Sequence, residues 1–365
     1  MEFRIPGGSI VPAHIPNPGR LEEFRFPGSF FALIPTPRNR IPWRVTAVLS
    51  GSGWVLLDAI AVNAVAAELI SRGRIPGLHG WSIARKEVPA ERSRLDFLLR
   101  RKGDPPLFLE VKSCTLVHRG TAMFPDAPSE RARRHLRDLE RLAAEGGRAM
   151  VLMVCPHPGA RRWRPNAHTD PEYCRAVRDL SGVEVHAVRV TLRSPGMIDL
   201  DNVKSIPVLS DPGECTDSGG YVLEMHAAKA FSVQVGALGR IFFPEGHYLY
   251  VGSARRGLSA RIGRHHRRRK RFHWHIDYVL HRGMRLEKAW PIRHPGFSEV
   301  LLARALSRFA EDEVPGFGAG DSPLHSHLFR FAVPPMSRPQ LLEVLLDCRI
   351  HGVPGPARPE KCLRG

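Results

Sequence analysis

Two short apolar segments carry charged residues whose types and spacing suit phosphodiester hydrolysis. Asp96 lies in the segment Arg94 to Arg100, and Glu110 and Lys112 lie in the segment Leu107 to Ser113. Side chains on a strand alternate between its two faces, so Glu110 and Lys112 are expected to share a face, with Asp96 beside them on the partner strand. Carboxylates are preferred ligands of Mg²⁺ and Mn²⁺, and a lysine can orient or activate water. These three residues are therefore the predicted catalytic set, and Asp96 and Glu110 are the predicted metal ligands.

The alternative is a solvated strand face, on which a Glu-x-Lys pattern is ordinary and has no chemical role. The apolar neighbours Phe97, Leu109 and Val111 favour burial from at least one side. Buried ionisable groups need a compensating partner. This pattern therefore favours a functional site over a solvated strand.

The surrounding elements follow the order helix, three strands, helix, strand, helix, strand. One predicted helix begins near residue 58, and two others span 129–145 and 171–180. The predicted strands span 81–88, 94–100, 107–113, 148–155 and 183–192. This order predicts an α/β layered core and agrees with the αβββαβ core of PD-(D/E)xK nucleases. Before it, short apolar runs at 30–34, 43–49 and 54–57 indicate a small antiparallel barrel.

A second group of candidate residues lies near the C-terminus. Tyr221 follows two glycines, Tyr250 precedes a Val-Gly turn, and Arg261 lies in the following basic segment. Arginine can give two parallel hydrogen bonds to a phosphate. The pattern resembles that of GIY-YIG nucleases, and more specifically a GIY-YIG-like domain of unknown function. The resemblance implies that Tyr221 or Tyr250 positions the attacking water and that Glu299 holds a single metal. The alternative is a strand end followed by a turn.

A run of basic residues follows Arg261 and is interleaved with histidines and aromatic residues. The predicted nucleic-acid contacts in this run are Arg264, Arg267, Arg268, Arg269, Lys270 and Arg271. Arg20 and Arg94, from the first half of the chain, are predicted contacts as well. We predict a helix from Leu258 through this run. A solvated helix face is the alternative, but the charge density exceeds what solubility needs. His273 and His275 would share a face on a strand, although packing is the preferred interpretation of this pair.

Several motifs of the first two hundred residues recur in the order found in the sugar fermentation stimulation protein family, SfsA, which the chain resembles. They are AHIPNPGRLEEF, SRLDF, EVKSCTL, MFPDAPSERARRHLRDL, RPNAHTDPEY and GVEVHAV. The resemblance implies a DNA-binding protein with an N-terminal barrel of OB type and a PD-(D/E)xK-like nuclease domain. It also implies Asp96, Glu110 and Lys112 as the catalytic set and Glu87 as a further metal-binding carboxylate. A role in packing or capping is preferred for His135.

The composition points to a polyanionic partner. The 365 residues carry a formal charge of +18 at pH 7, with 43% hydrophobic residues. Nucleic acid is the expected partner, with DNA favoured over RNA, and a homodimer is one option for assembly. No long apolar stretch or signal peptide is evident, so we predict a cytoplasmic protein without a membrane partner. The six cysteines form no C-x-x-C pair and indicate no zinc site.

The predicted domains are a 1–57 OB-like barrel, a 58–203 PD-(D/E)xK-like domain, a 204–218 linker, a 219–335 GIY-YIG-like domain and a 336–365 helix with a flexible tail. The leading hypothesis is a nuclease that depends on Mg²⁺ or Mn²⁺. The runner-up is a non-catalytic DNA-binding regulator that uses nuclease-like folds as scaffolds, because a fold alone does not guarantee chemistry.

Overall fold

The computed structural model describes residues 1–36, 40–91, 93–209, 215–320 and 322–355. The chain divides into two compact units, Met1–Asp211 and Pro212–Gly365. Among the described residues, no helix combines the length and the apolar character needed to cross a lipid bilayer.

The first unit begins with a five-stranded sheet. Its strands are β1 Glu2–Arg4, β2 Ile10–His14, β3 Phe31–Pro35, β4 Trp43–Ser50 and β5 Gly53–Leu56. Their order is β1-β2-β4-β3, with β5 also paired to β4. A small core that includes Val45, Val48 and Val55 fills its interior. Strands β1 and β2 were not predicted, because both are short and expose most of their side chains.

The rest of the first unit is a layered α/β structure. Its elements are α1 Ala59–Ser71, β6 Ser82–Pro89, β7 Arg94–Arg100, β8 Leu107–Ser113, β9 Val117–His118, β10 Thr121–Phe124, α2 Glu130–Ala144, β11 Arg148–Cys155, β12 Arg162–Pro165, α3 Pro171–Arg178, β13 Val183–Ser194 and β14 Met197–Ser205. Six of the strands form one sheet in the order β14-β13-β11-β8-β7-β6. Within this sheet β8, β11 and β13 run parallel, whereas β7 is antiparallel to β6 and β8. The mixed α/β class predicted from the sequence is confirmed.

The sheet is covered on both faces, and the alternation of strand β8 decides which side chain meets which helix. Leu107, Leu109 and Val111 pack into the core that contains α1. Glu110 and Lys112 point the other way and contact His135 of α2. Period-two alternation therefore places the apolar residues in one core and the charged residues under the other helix.

Helix α1 begins at a defined residue. The carboxylate of Asp58 accepts hydrogen bonds from the backbone N–H groups of Ile60 and Ala61, at 3.1 and 3.2 Å. Such an N-cap satisfies donors that the first helical turn leaves unpaired. It fixes the first turns of α1, including Asn63, next to the sheet.

The second unit is built on another five-stranded sheet. Its elements are β15 Gly219–Ala227, β16 Phe231–Gln234, β17 Arg240–Phe243, β18 Gly246–Ala254, α4 Leu258–His266, α5 His275–Arg282, β19 Met284–Ile292, α6 Glu299–Ser307, β20 Asp312–Glu313, β21 Leu328–Phe331 and α7 Pro339–His351. The sheet order is β19-β15-β18-β21-β20, and β16 and β17 form a separate hairpin.

The helix predicted through the basic run is wrong in its extent, because α4 ends at His266. The physical reason is Asp277, which is fully buried. Its carboxylate accepts hydrogen bonds from the backbone N–H groups of His273 and Trp274, at 2.9 and 3.1 Å. These bonds hold the chain in a loop, and His275 begins α5 instead of lying on a strand.

Two predicted boundaries also differ from the observed ones. Strand β14 extends to Ser205 and includes the start of the predicted linker, and part of that linker lies outside the described residues. Helix α7 buries many of its side chains, so it belongs to the packed second unit. The tail predicted to be flexible lies outside the described residues from position 356 onward.

Candidate functional site

Strands β7 and β8 bring three of the predicted residues to one cleft. Asp96, Glu110 and Lys112 line a cleft of about 790 Å³ in the first unit, together with residues 14–19 of the barrel segment and residues 123–129, 131 and 132 from the end of β10 to α2. Glu87 lines the same cleft from strand β6 but is exposed to solvent. The structure therefore brings together all four carboxylate and lysine residues predicted for this site.

Glu110 lies at the most buried point of this group, with 2% of its surface exposed. One carboxylate oxygen, Oε1, contacts both the Lys112 ammonium and the His135 Nδ1. Burial opposes ionisation, but Lys112 and His135 outweigh it and lower the pKa of Glu110. The other oxygen, Oε2, is buried and receives no hydrogen bond from any described residue. Burial of an ionised oxygen without a partner costs free energy. A bound cation or a hydrogen-bond donor next to this atom would reduce that cost.

Asp96 lies beside Glu110 with its carboxylate held by two donors. Asn63 Nδ2 donates to Oδ1 at 2.6 Å, and the Val111 backbone N–H donates to Oδ2 at 2.8 Å. Burial and the charge of Glu110 nevertheless raise the pKa of Asp96 to about 6. Two carboxylates that repel each other in a cleft are stabilised by a shared cation.

The donor set fits a hard divalent ion with oxygen ligands. Asp96 and Glu110 supply two carboxylates, and one of their oxygens is orphaned. Among the described residues, no group of three or more His, Cys, Asp or Glu side chains is arranged to hold a metal ion. Mg²⁺ usually keeps several waters and needs only one or two protein carboxylates, so two ligands suffice.

Two residues of this site were missed by the sequence reasoning. His135, for which packing was preferred, contacts Glu110 directly, and Arg131 Nε donates to its Nε2 at 3.4 Å. Because Nε2 accepts, Nδ1 is left to donate to Glu110. Asn63, one turn into α1, anchors Asp96. The one available signal was the position of His135 within a motif shared with SfsA; Asn63 carried none.

A second motif closes the cleft on the barrel side. The Asp126 carboxylate accepts a hydrogen bond from the Leu21 backbone N–H at 3.4 Å, and burial raises the pKa of Asp126. A Cβ atom on Gly19 would lie 2.2 Å from this carboxylate, so only glycine permits the approach. Asn17 Nδ2 donates to the Leu57 carbonyl at 2.8 Å. These contacts hold the segment of Asn17 and Gly19 against Asp126 and the end of β5.

The second unit also gathers its predicted residues. Tyr221, Tyr250, Arg261 and Glu299 line one pocket of about 300 Å³. The Arg261 guanidinium lies over the ring of Trp274, 3.9 Å from its centroid. This stacking holds the cation at the pocket wall.

Tyr221 is held by its neighbours in the sheet and in α4. Its hydroxyl lies 3.0 Å from His265 Nε2, and burial raises the pKa of Tyr221. Burial, with the charge of Lys270, lowers the pKa of His265 to about 3, so the imidazole is neutral and accepts from the phenol. Across the strand pair, a Cβ atom on Gly252 would lie 2.5 Å from the Tyr221 ring. The glycine therefore makes room for the phenol.

Glu299 is oriented by a chain of hydrogen bonds. Its Oε2 accepts from the Ser253 hydroxyl, and its Oε1 lies 3.0 Å from His327 Nδ1. His327 Nε2 lies 2.8 Å from the Ser322 hydroxyl, which itself accepts from the Leu324 backbone N–H at 3.2 Å. The Leu324 N–H can only donate, so the Ser322 oxygen accepts there and the Ser322 hydroxyl proton is left for His327 Nε2. His327 Nδ1 then carries the other proton and donates it in a hydrogen bond to Glu299 Oε1. This chain was not anticipated from the sequence.

The basic residues divide into two groups. Arg264 and Lys270 form ion pairs with the buried Asp277, at 3.0 and 3.1 Å. Burial opposes ionisation of Asp277, but hydrogen bonds, first from Arg264, lower its pKa to about 2. The remaining predicted contacts are exposed, namely Arg20, Arg94, Arg267, Arg268, Arg269 and Arg271. Arg264 and Lys270 therefore stabilise the loop, and the exposed arginines are free to meet a polyanion.

Three family models match successive parts of the chain. Residues 1–57 match the SfsA N-terminal OB domain, and residues 60–196 match the sugar fermentation stimulation protein RE domain. Residues 220–349 match a domain of unknown function, DUF123. The prediction of an OB-type N-terminal domain is confirmed.

Similar proteins occur in bacteria and archaea. The sugar fermentation stimulation protein homolog of Acidithiobacillus ferrooxidans is 38% identical over 202 residues, which cover 54% of this chain and 87% of that protein. The homolog of Methanosphaera stadtmanae is 34% identical over 52% of this chain and 81% of its own length. Among solved structures, Pyrococcus furiosus SfsA in complex with Ca²⁺ is 28% identical, with a TM-score of 0.51 over 55% of this chain and 87% of that one.

The raised pKa of Asp96 predicts a pH-dependent effect of Asp96→Asn. The native state holds the Asp96 proton up to about pH 6, whereas the unfolded state releases it near 3.8. Ionisation of Asp96 therefore costs native stability as the pH rises from 4 to 6. We expect Asp96→Asn to raise the free energy of unfolding by about 1–2 kcal/mol at pH 8 and to have little effect at pH 4. Denaturant titrations at both pH values measure this; a variant that is less stable at pH 8 contradicts it.

The hydrogen-bond chain to Glu299 predicts a different outcome for two neighbouring histidines. His327→Ala removes the hydrogen bond to Glu299 Oε1 and the acceptor of the Ser322 hydroxyl, so we expect a loss of about 1–3 kcal/mol in the free energy of unfolding. His325 is exposed and pairs with Glu313 at the surface, so His325→Ala should cost less than about 0.5 kcal/mol. Chemical denaturation of both variants makes the comparison, and equal losses would contradict the role given to His327.

Proposed function

Because the chain belongs to the sugar fermentation stimulation protein family, we propose that it is a metal-dependent phosphodiester hydrolase that acts on nucleic acid, with DNA favoured over RNA. In this proposal residues 58–203 form a PD-(D/E)xK-like nuclease domain behind the 1–57 OB barrel. Residues 219–335 form a GIY-YIG-like domain after a 204–218 linker. The cytoplasmic location and the homodimer stay predictions.

One observation carries the proposal more than any other. Glu110 is almost fully buried and ionised, yet its Oε2 has no donor among the described residues. Asp96 lies in the same cleft with a pKa raised by the charge of Glu110. A protein that needed this carboxylate only for stability would be expected to satisfy both oxygens. An orphaned oxygen beside a second carboxylate supports a site for Mg²⁺ or Mn²⁺.

The residues around this site have separable roles in the proposed reaction. Asp96 and Glu110 would hold the ion, and Glu87 would add a carboxylate at the exposed side. When bound, a divalent ion lowers the pKa of its water and neutralises charge on a phosphate. Lys112 contacts Glu110 from the same strand face, so its remaining donors can orient the attacking water. His135 holds Glu110, and Asn63 holds Asp96.

The second pocket can serve the same class of chemistry. Arg261, held over Trp274, offers a planar donor pair to a phosphate. The Tyr221 hydroxyl stays protonated at neutral pH and donates a hydrogen bond to His265. Its oxygen lone pairs can therefore accept a hydrogen bond from a water molecule. Glu299 has one hydrogen bond on each oxygen and would hold a single metal ion. Tyr250 lines the pocket beside Tyr221.

A non-catalytic DNA-binding regulator is the second candidate function. The observation in its favour is that Lys112 and His135 both contact the same oxygen of Glu110 and compensate part of its charge without an ion. In that case the exposed arginines would bind the phosphate backbone and the clefts would only support the fold.

The test is a cleavage assay with single- and double-stranded DNA and RNA in Mg²⁺, Mn²⁺ or EDTA. We expect cleavage that requires the metal and falls strongly in Asp96→Asn, because that variant loses an ionised ligand; any cleavage that remains and disappears in Arg261→Ala belongs to the second pocket. Arg261→Ala reports on the second pocket, and Arg256→Ala, an exposed arginine outside that pocket, is its matched control. Binding without cleavage under every condition would contradict the nuclease and support the regulator.

A further inference from the structure

The cleft around Asp96 and Glu110 has the size of a small-molecule pocket. Its volume of about 790 Å³ lies within the range of small-molecule pockets, about 300–1,000 Å³. The carboxylate of Glu110 lies at its floor with 2% of the residue exposed. A phosphate that reaches this floor must enter the cleft, and only a few nucleotides fit around it.

The walls of the cleft carry apolar side chains among the polar ones. The apolar lining residues that are at least partly exposed include Ile15 and Pro18 of the barrel segment, Ile60 in the first turn of α1, Phe124 at the end of β10 and Pro128 beyond it. Ile60 is 71% exposed, although burial of an isoleucine side chain would normally stabilise a fold. Its side chain stands near Asn63 and Asp96 on the same cleft.

Apolar walls around a charged floor match one form of nucleic acid better than the other. In a duplex the base faces are stacked inside and the two backbones lie outside, so these walls would meet sugars and phosphates. In a single strand the base faces are free to pack on apolar side chains while the backbone reaches the polar groups. Enzymes that act on a buried part of a nucleotide use single strands or extrude it from the duplex.

We infer that the cleft takes unpaired nucleotides, with bases packed against Ile60 and its exposed apolar neighbours and a phosphate at the floor, beside Lys112 and the divalent ion proposed for Asp96 and Glu110. The inference rests on the proposed function and specifies its substrate as single-stranded or locally unpaired nucleic acid. The exposed arginines of the second unit can bind duplex independently of this cleft, since they contact phosphates only.

The test is a binding experiment with two matched variants of the full chain. Ile60→Ser removes the apolar side chain at the cleft, and Ile10→Ser removes one that is 59% exposed in the same unit but does not line the cleft. Fluorescence anisotropy is measured in Ca²⁺ with a short labelled single strand and with its blunt duplex, both checked for integrity. Thermal melts of the variants confirm folding.

We expect Ile60→Ser to weaken single-strand binding about threefold to tenfold, the loss of roughly one apolar contact, and to leave duplex binding unchanged. Ile10→Ser should change neither. Equal effects of the two variants, or an equal loss of single-strand and duplex affinity in Ile60→Ser, would overturn the inference. Failure of the proposed function is read separately, as absence of metal-dependent cleavage, because this comparison measures binding alone.

Discussion

The architecture of the first unit depends on an ionised carboxylate kept away from water. Glu110 loses its hydration on strand β8, and Lys112 and His135 compensate by contacting one of its oxygens. Removing one partner from such a buried group leaves a charge uncompensated, which is strongly destabilising. This arrangement requires that Glu110 and Lys112 share one face of β8, that α2 packs over that face and that residue 135 is a histidine. The second oxygen has no hydrogen-bond partner among the described residues, and the proposed divalent ion would supply one.

Other parts of the fold serve the same point. Asp58 begins α1 so that Asn63 reaches Asp96. Asp126 and Gly19 bring the barrel segment to the edge of the cleft, which gives the charged floor its apolar walls. In the second unit the same logic recurs with different residues, because Ser253 and His327 orient Glu299 and Trp274 holds Arg261. Asp96, Glu110, Arg261 and Glu299 are each positioned by a neighbouring side chain.

The sequence predicts the strands of the first site well and their surroundings poorly. Strands β7, β8 and β11 have the predicted bounds, because each is a short apolar run between turn residues. The contact of His135 with Glu110 joins residues twenty-five positions apart, and no periodicity encodes it. The end of α4 at His266 depends on Asp277, a residue of the next helix that binds the intervening backbone. Local pattern therefore gives the elements, whereas the partners of a buried charge emerge only from the packed structure.

The central claim is that Glu110 Oε2 and the Asp96 carboxylate hold one divalent ion. Crystals of the full chain soaked in Mn²⁺ and measured for anomalous scattering test it most directly. We expect a single strong anomalous peak within about 2.5 Å of both carboxylates, and we expect it to be absent from crystals of the Glu110→Gln variant. A fully soaked crystal with Mn²⁺ elsewhere on the protein and none between these two side chains would contradict the claim.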